Sequence, residues 1–332
     1  MQIKLKQIAV LEFIIIILLV LFLIYSQTKS APVQDANAKE LLSPRVYAEL
    51  LEPKSFLIVK FTPLQQRIQS YVEKNNLNIS VYIKNLRNGA SMGINSDAGF
   101  IPASLTKVPL AILVMEKIEN GDLTLGTKLP ILYSDRASNS GSLYKTDRKE
   151  ATVGLLLSEL LKESDNTAFN VLSHQIESKN LDLLMDYFDI DVYNQNYNVK
   201  SSQKRGILVS PRKMGNIFSS LYFSTLLEPK DSEYLLNLMI DTLFDIEKAT
   251  NLPKDIIVSQ KYGSYYTNNT RLFHSCGILY IHQSRIFYCV MTKDINESEA
   301  ARTTGFIVNE TYHYVLEERA KLDVYKQEGT FK

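Results

Sequence analysis

Strand-forming sequence is confined to two places in the globular part of this chain, near its two ends, and a long block of helical pattern lies between them. The early piece, "ISVYIKNLRNGASMGIN" (79–95), alternates apolar and polar residues about Asn88-Gly89, a dipeptide that favours a tight hairpin turn. The late pieces, "IIVSQKYGS" (256–264), "HSCGILYIH" (274–282) and "RIFYCVMTK" (285–293), have strand composition, and a short turn joins the last two. Strands from both ends can pair into one antiparallel sheet. The helical sequences "PLQQRIQSYVEKNN" (63–76) and "ARTTGFIVNETYHYVLEER" (301–319) would flank it, and the helical block would form a second lobe.

Within that block, "FIPASLTKVPLAILVMEKIENG" (100–121) reads as a long apolar helix, and Thr152 caps a second, "VGLLLSELLKE" (153–163). "TAFNVLSHQI" (167–176) is a third. Ser210-Pro211 opens a fourth through about Phe223, and "DSEYLLNLMIDTLF" (231–244) is a fifth.

The N-terminus constrains location. Residues 8–25 are apolar except for Glu12, and Lys4 and Lys6 precede them, so the run is just long enough to span a membrane with its N-terminus held in the cytoplasm. The small-x-small sequence Ala36–Ala38 offers signal cleavage and a secreted product as the alternative, but it lies farther from the apolar run than cleavage sites usually do. The expected organisation is a single-pass anchor over 1–26, a linker or stalk over 27–60, an extracytoplasmic domain over 61–322 and a tail over 323–332. With a net charge of +1 and both signs interspersed there is no field for nucleic acid, and the four histidines and two cysteines show no metal-ligand spacing. No glycine-rich phosphate loop occurs, so no cofactor or metal is expected. A monomer is expected.

One pairing in the block carries chemistry. Ser-x-x-Lys occurs five times in the chain, so the spacing of Ser104 and Lys107 means little by itself. Their context means more. At a helix start Lys107 lies one turn along from Ser104, and backbone N–H groups point at whatever Ser104 binds, a place for an oxyanion. A serine hydroxyl needs a neighbouring base, and a buried lysine near other cations can lose its proton and serve. Ser164-Asp165-Asn166 falls in a tight break between two helices, where Ser164 can relay a proton and Asn166 can hold an amide. Lys261-Tyr262-Gly263 falls on a strand, where Lys261 can offer charge to a carboxylate and Gly263 lets backbone approach a ligand. Each is weak alone; Lys-x-Gly also occurs at Lys204 and Lys213.

Together, and in this order, "PASLTKVPL", "ESDNTAFNVL" and "KYG" resemble the penicillin-recognising serine enzymes, and within them the class A β-lactamase-like branch, over roughly residues 62–318. The resemblance implies an α+β fold of the β-lactamase/transpeptidase type, a five-stranded antiparallel sheet flanked by helices plus an all-α lobe, with the site between them. It implies Ser104 as acylated nucleophile, Lys107 as its base partner and Ser164 as proton relay to the leaving nitrogen. Asn166 would contact the substrate amide, Lys261 would anchor a carboxylate, and the N–H groups of Ser104 and Ser264 would form the oxyanion hole. The substrates implied are β-lactams or peptidoglycan stem peptides; the rival class is a non-catalytic cell-envelope binding protein.

Two departures stand out. Tyr262 replaces a small hydroxyl residue and adds bulk to the carboxylate pocket. Residues 192–227 contain no carboxylate, where class A β-lactamases carry the glutamate that activates the deacylating water; Asp189 and Asp191 are nearby. Finally, a turn near 282–285 would set Cys289 opposite about Ile278, with Cys276 on the diagonal at roughly 7–8 Å, too far to bridge. Two free, buried thiols are expected.

Overall fold

The computed structural model describes residues 60–194, 205–240, 242–244, 249–250, 252–267 and 270–327, all within one unit, Leu41–Lys332. The expected anchor and most of the stalk lie outside the described residues. Among the described residues no helix is long and apolar enough to cross a membrane.

The sheet has five antiparallel strands: β1 (Ile79–Asn85), β2 (Ser91–Ile94), β7 (Ile257–Tyr266), β8 (Arg271–Ile281) and β9 (Ser284–Lys293), in the order β2-β1-β9-β8-β7. The early hairpin joins the late strands through β1 and β9, with Tyr82 opposite Cys289. The sheet's central seam is therefore closed by strands from early and late in the described residues. Gly89 makes the first hairpin turn at φ +80°, a conformation that costs glycine nothing.

Strand alternation divides the core into two layers. Val81, Ile83, Leu279, Ile286, Tyr288 and Val290 face one side and pack with Leu64, Ile68 and Val72 of helix α1 (Thr62–Lys74) and with Ile307, Val308 and Tyr314 of α8 (Glu297–Gln327). Tyr82, Ile278, Phe287 and Met291 face the other side, against the helical block. That block holds α2 (Lys107–Glu119), α3 (Val153–Leu161), α4 (Asn166–Ser173), α5 (Ser178–Tyr187), α6 (Pro211–Tyr222) and α7 (Pro229–Leu238). Every residue of α2 from Lys107 to Met115 is buried, so α2 is the axis of its lobe. Thr152 and Ser210 cap α3 and α6 as their sequences foretell. The fold class is as expected, α+β with a five-stranded antiparallel sheet.

Helix α5 and two small ribbons were not foreseen. The ribbons pair β3 (Lys128–Pro130) with β4 (Glu150–Thr152) and β5 (Asp191–Asn194) with β6 (Arg205–Leu208); three or four residues are too few to show a period. The thiol expectation is overturned: Cys276 and Cys289 form a disulfide and no cysteine among the described residues is free. The β8–β9 turn is tighter than supposed. Ile281 pairs with Ser284 across His282-Gln283, which sets Cys276 directly opposite Cys289. That register turns on His282 adopting φ +48°, a left-handed conformation uncommon outside glycine and asparagine.

Candidate active site

Ser104 does not lie in the long helix itself. It sits in a single 3-10 turn, Ala103–Thr106, that leads directly into α2, so Lys107 is the first α-helical residue. The turn is entered through Ala103 at φ +48°, and such strain persists only where the surroundings over-determine it. Those surroundings are the sheet. A Cβ on Gly263 of β7 would stand 2.8 Å from the Ser104 backbone nitrogen and 3.2 Å from Pro102 O, so only glycine lets β7 lie this close. His274, directly across from Gly263 on β8, is fully buried; its Nε2 lies 3.0 Å from Ile101 O and its ring meets Phe100 edge-on. Burial pushes its pKa down to about 4, so the neutral ring donates that hydrogen bond through Nε2–H.

The Ser104, Ser164 and Asn166 side chains converge on one amine. Lys107 Nζ lies 3.2 Å from Ser104 Oγ and 3.1 Å from Ser164 Oγ, and it donates to Ser164 O (2.5 Å) and Asn166 Oδ1 (2.7 Å). Burial lowers the Lys107 pKa from its ordinary value to about 7, against an opposing pull from Asp165. At neutral pH a large fraction of this amine is therefore unprotonated and able to accept a proton from Ser104. Ser164 reaches it because its backbone stands at φ +54° in the α3–α4 break.

Lys261 on β7 is fully buried and its Nζ has no hydrogen-bond partner. Burial holds its pKa well below the ordinary lysine value, the Lys107 charge adds to the effect and Glu163 opposes it. An orphaned buried amine costs stability; an anion arriving at the cleft would satisfy it. Tyr262, next along the strand, points to the opposite sheet face by alternation and packs with Phe244 and Phe273. Its bulk therefore does not fill the space around Ser104, although Lys261 Nζ stays 4.9 Å from its ring centroid. Ser264 is exposed one residue beyond Gly263, which places its backbone alongside the Ser104 turn.

Four residues that sequence reasoning passed over hold this arrangement. Asp165 is completely buried, caps α4 through Ala168 N (2.8 Å) and accepts Leu143 N (2.8 Å). Gly141, at φ +84°, passes so close that a Cβ would lie 2.0 Å from Asp165 Oδ2. Asn139 accepts a hydrogen bond from Asn166 Nδ2 at 2.8 Å; His274 is the fourth. An aspartate at a helix start has a cap signature, but nothing local to 139–141 or 274 marks them. Among the described residues no group of His, Cys, Asp or Glu is placed to hold a metal ion. Of the two acids noted as substitutes for the missing glutamate, Asp189 has its carboxylate in solvent, 3.6 Å from Lys213 Nζ; the Asp191 side chain lies outside the described residues.

Comparison with known proteins identifies the family. The model of the β-lactamase enzyme family matches residues 63–315. β-Lactamase VEB-1 of Pseudomonas aeruginosa is 24% identical over 275 residues, covering 76% of this chain and 90% of that protein. The TLA-1 extended-spectrum β-lactamase structure superposes with a TM-score of 0.67 at 17% identity over 77% of this chain and 99% of that one. A variant of PBP-A, solved as an acyl-enzyme complex with penicillin G, gives 0.67 at 21% identity over 78% and 98%. With the matched region running from the first helix of the fold into the last, the chain belongs to the β-lactamase enzyme family and is a serine hydrolase of that type.

Proposed function

We propose that the chain is a membrane-anchored, outward-facing acyl-transfer enzyme that opens the amide of β-lactams through a Ser104 ester and releases the acyl group slowly. The observation that carries this reading is the buried Lys107 amine, within 3.2 Å of Ser104 Oγ and 3.1 Å of Ser164 Oγ. Neutral Lys107 takes the Ser104 proton as Oγ attacks the carbonyl carbon. The resulting oxyanion is met by the N–H groups of Ser104 and Ser264, a contribution typically worth 10²–10³-fold per donor. The proton passes through Ser164 to the leaving nitrogen as the C–N bond breaks. Asn166 holds the acyl amide, and Lys261 takes the substrate carboxylate.

The second half of the cycle needs a base for water, and residues 192–227 supply no carboxylate. Exposed Asp189, occupied with Lys213, is poorly suited to the task. General-base assistance is worth roughly 10²–10⁴-fold, so its loss should slow deacylation far more than acylation. This favours a penicillin-binding, D,D-peptidase-like role toward stem peptides over efficient β-lactam turnover. Acyl-enzyme lifetime after a penicillin pulse tests it. The ester should persist for minutes or longer, whereas release within milliseconds with sustained hydrolysis would return the chain to the true β-lactamases.

A further inference from the structure

The acyl-transfer scheme leaves one fully buried titratable side chain without a task. His274 makes its one side-chain hydrogen bond from Nε2 to Ile101 O at 3.0 Å, and its Nδ1 has no partner among the described residues. A bare Nδ1 in the core costs stability, and a phenylalanine would fill much the same space without that cost. What the imidazole adds is the bond to Ile101 O. That carbonyl lies three residues before Ser104. The next one along, Pro102 O, accepts Leu105 N–H at 3.1 Å in the 3-10 turn, so Ile101 O is the acceptor that Ser104 N–H would take if the same pattern ran one residue further back. It does not. No backbone carbonyl among the described residues accepts the Ser104 N–H, although an N–H group seeks an acceptor. The segment is held from both sides: Phe100 N–H and O each bond Val209 at 2.9 Å, its ring meets His274 edge-on, and Gly263, paired with His274 across β7 and β8, lies against Ser104 N.

We propose that His274 is a positioning residue for acyl transfer: by holding Ile101 O toward the sheet it keeps the Ser104 N–H free to serve as an oxyanion donor. The inference rests on Ser104 being the acylated nucleophile. His274 itself touches neither the substrate nor the reacting atoms. Without its Nε2–H, Ile101 O loses its partner and turns to the Ser104 N–H, which closes the donor before a substrate oxygen arrives and forfeits its help to the transition state.

The test uses the full chain as wild type, His274→Phe and His274→Gln. His274→Phe keeps the ring and removes the hydrogen bond, whereas His274→Gln returns an amide donor near the place of Nε2. With benzylpenicillin, the noncovalent dissociation constant, the acylation rate constant and the infrared stretching frequency of the acyl-enzyme ester carbonyl are measured, with thermal unfolding alongside. His274→Phe should acylate roughly 10–100-fold more slowly, approaching the loss of an oxyanion donor. Its dissociation constant should be unchanged, its Tm equal to wild type or higher, and its ester carbonyl shifted to higher frequency as a hydrogen bond is lost. His274→Gln should recover most of the rate and of the frequency. Acylation by His274→Phe within about twofold of wild type, an unmoved carbonyl frequency, or a rate loss that only tracks a fall in Tm would overturn the role of His274 while leaving the acyl-transfer reading in place. Nitrogen NMR shifts of the labelled wild-type imidazole test the same point without any variant: the proton should sit on Nε2, and a proton on Nδ1 alone would overturn the role, since Nε2 could not then donate. If wild type forms no penicilloyl ester, the acyl-transfer reading fails and this inference falls with it.

Discussion

Two buried lysines decide what the site does and what it costs the fold. Lys107 must be neutral to accept the Ser104 proton, and burial sets its pKa at about 7. The acylation rate should therefore rise with pH through about 7 and level off above it; a flat profile from pH 5 to 9 would remove Lys107 from the base role. For stability, a lysine whose folded pKa lies below its unfolded value binds fewer protons when folded, so its contribution grows more favourable as pH rises from the folded to the unfolded value. Lys261 carries the same sign and lacks even a hydrogen bond. Lys261→Met should then raise Tm by a few degrees while impairing capture of carboxylate-bearing substrates. An unsatisfied buried polar group costs about 1–3 kcal/mol, and each kcal/mol moves Tm by about 2–4 °C in a domain of this size. Calorimetry showing a lower Tm for this variant would mean that Lys261 has a partner in the folded protein.

At the scale of elements, β7 and the Ser104 turn act as one unit, joined at Gly263. Gly263→Ala should leave the variant folded but slow acylation by on the order of 10²–10³, as for loss of an oxyanion donor, because the added Cβ must push β7 from the Ser104 nitrogen. Near-wild-type acylation would show that the strand does not set the oxyanion site. On the neighbouring strands, thiol counting after denaturation without reductant should find no free thiol, since Cys276 and Cys289 are bonded; two free thiols would contradict the register of the β8–β9 hairpin. These elements differ in how far the sequence revealed them. Helices with a start signal and a full apolar face were legible, α1 through Pro63 in its first turn and α3 and α6 through their capping residues, as were the sheet strands and the motif residues Ser104, Lys107, Ser164, Asn166 and Lys261. The cysteine pairing was not, because a change in turn geometry at His282 shifts every partner along two strands. Nor were Asn139, Gly141 and His274, whose meaning comes from contacts distant in sequence: 27 residues separate Asn139 from Asn166 and 173 separate His274 from Ile101.

The described domain is a sheet whose seam joins its early and late strands, with the candidate site groups drawn from the helical lobe and the edge strand β7. Tyr314 bonds the carbonyl of Lys60, and Phe61 packs in the outer core layer, so the domain is packed from residue 60 onward. A chain starting at Lys60 should remain soluble and still capture penicillin, while the full chain should sediment with membranes; a full chain found in the soluble fraction would remove the anchor. Beneath all of this lies one claim, that acyl transfer runs through Ser104 with Lys107 as its base. Peptide mapping by mass spectrometry after brief exposure to benzylpenicillin tests it most directly. A single penicilloyl adduct on the peptide containing Ser104, absent in Ser104→Ala and strongly reduced in Lys107→Met, is the predicted result; an adduct on another serine that survives in Ser104→Ala would contradict it.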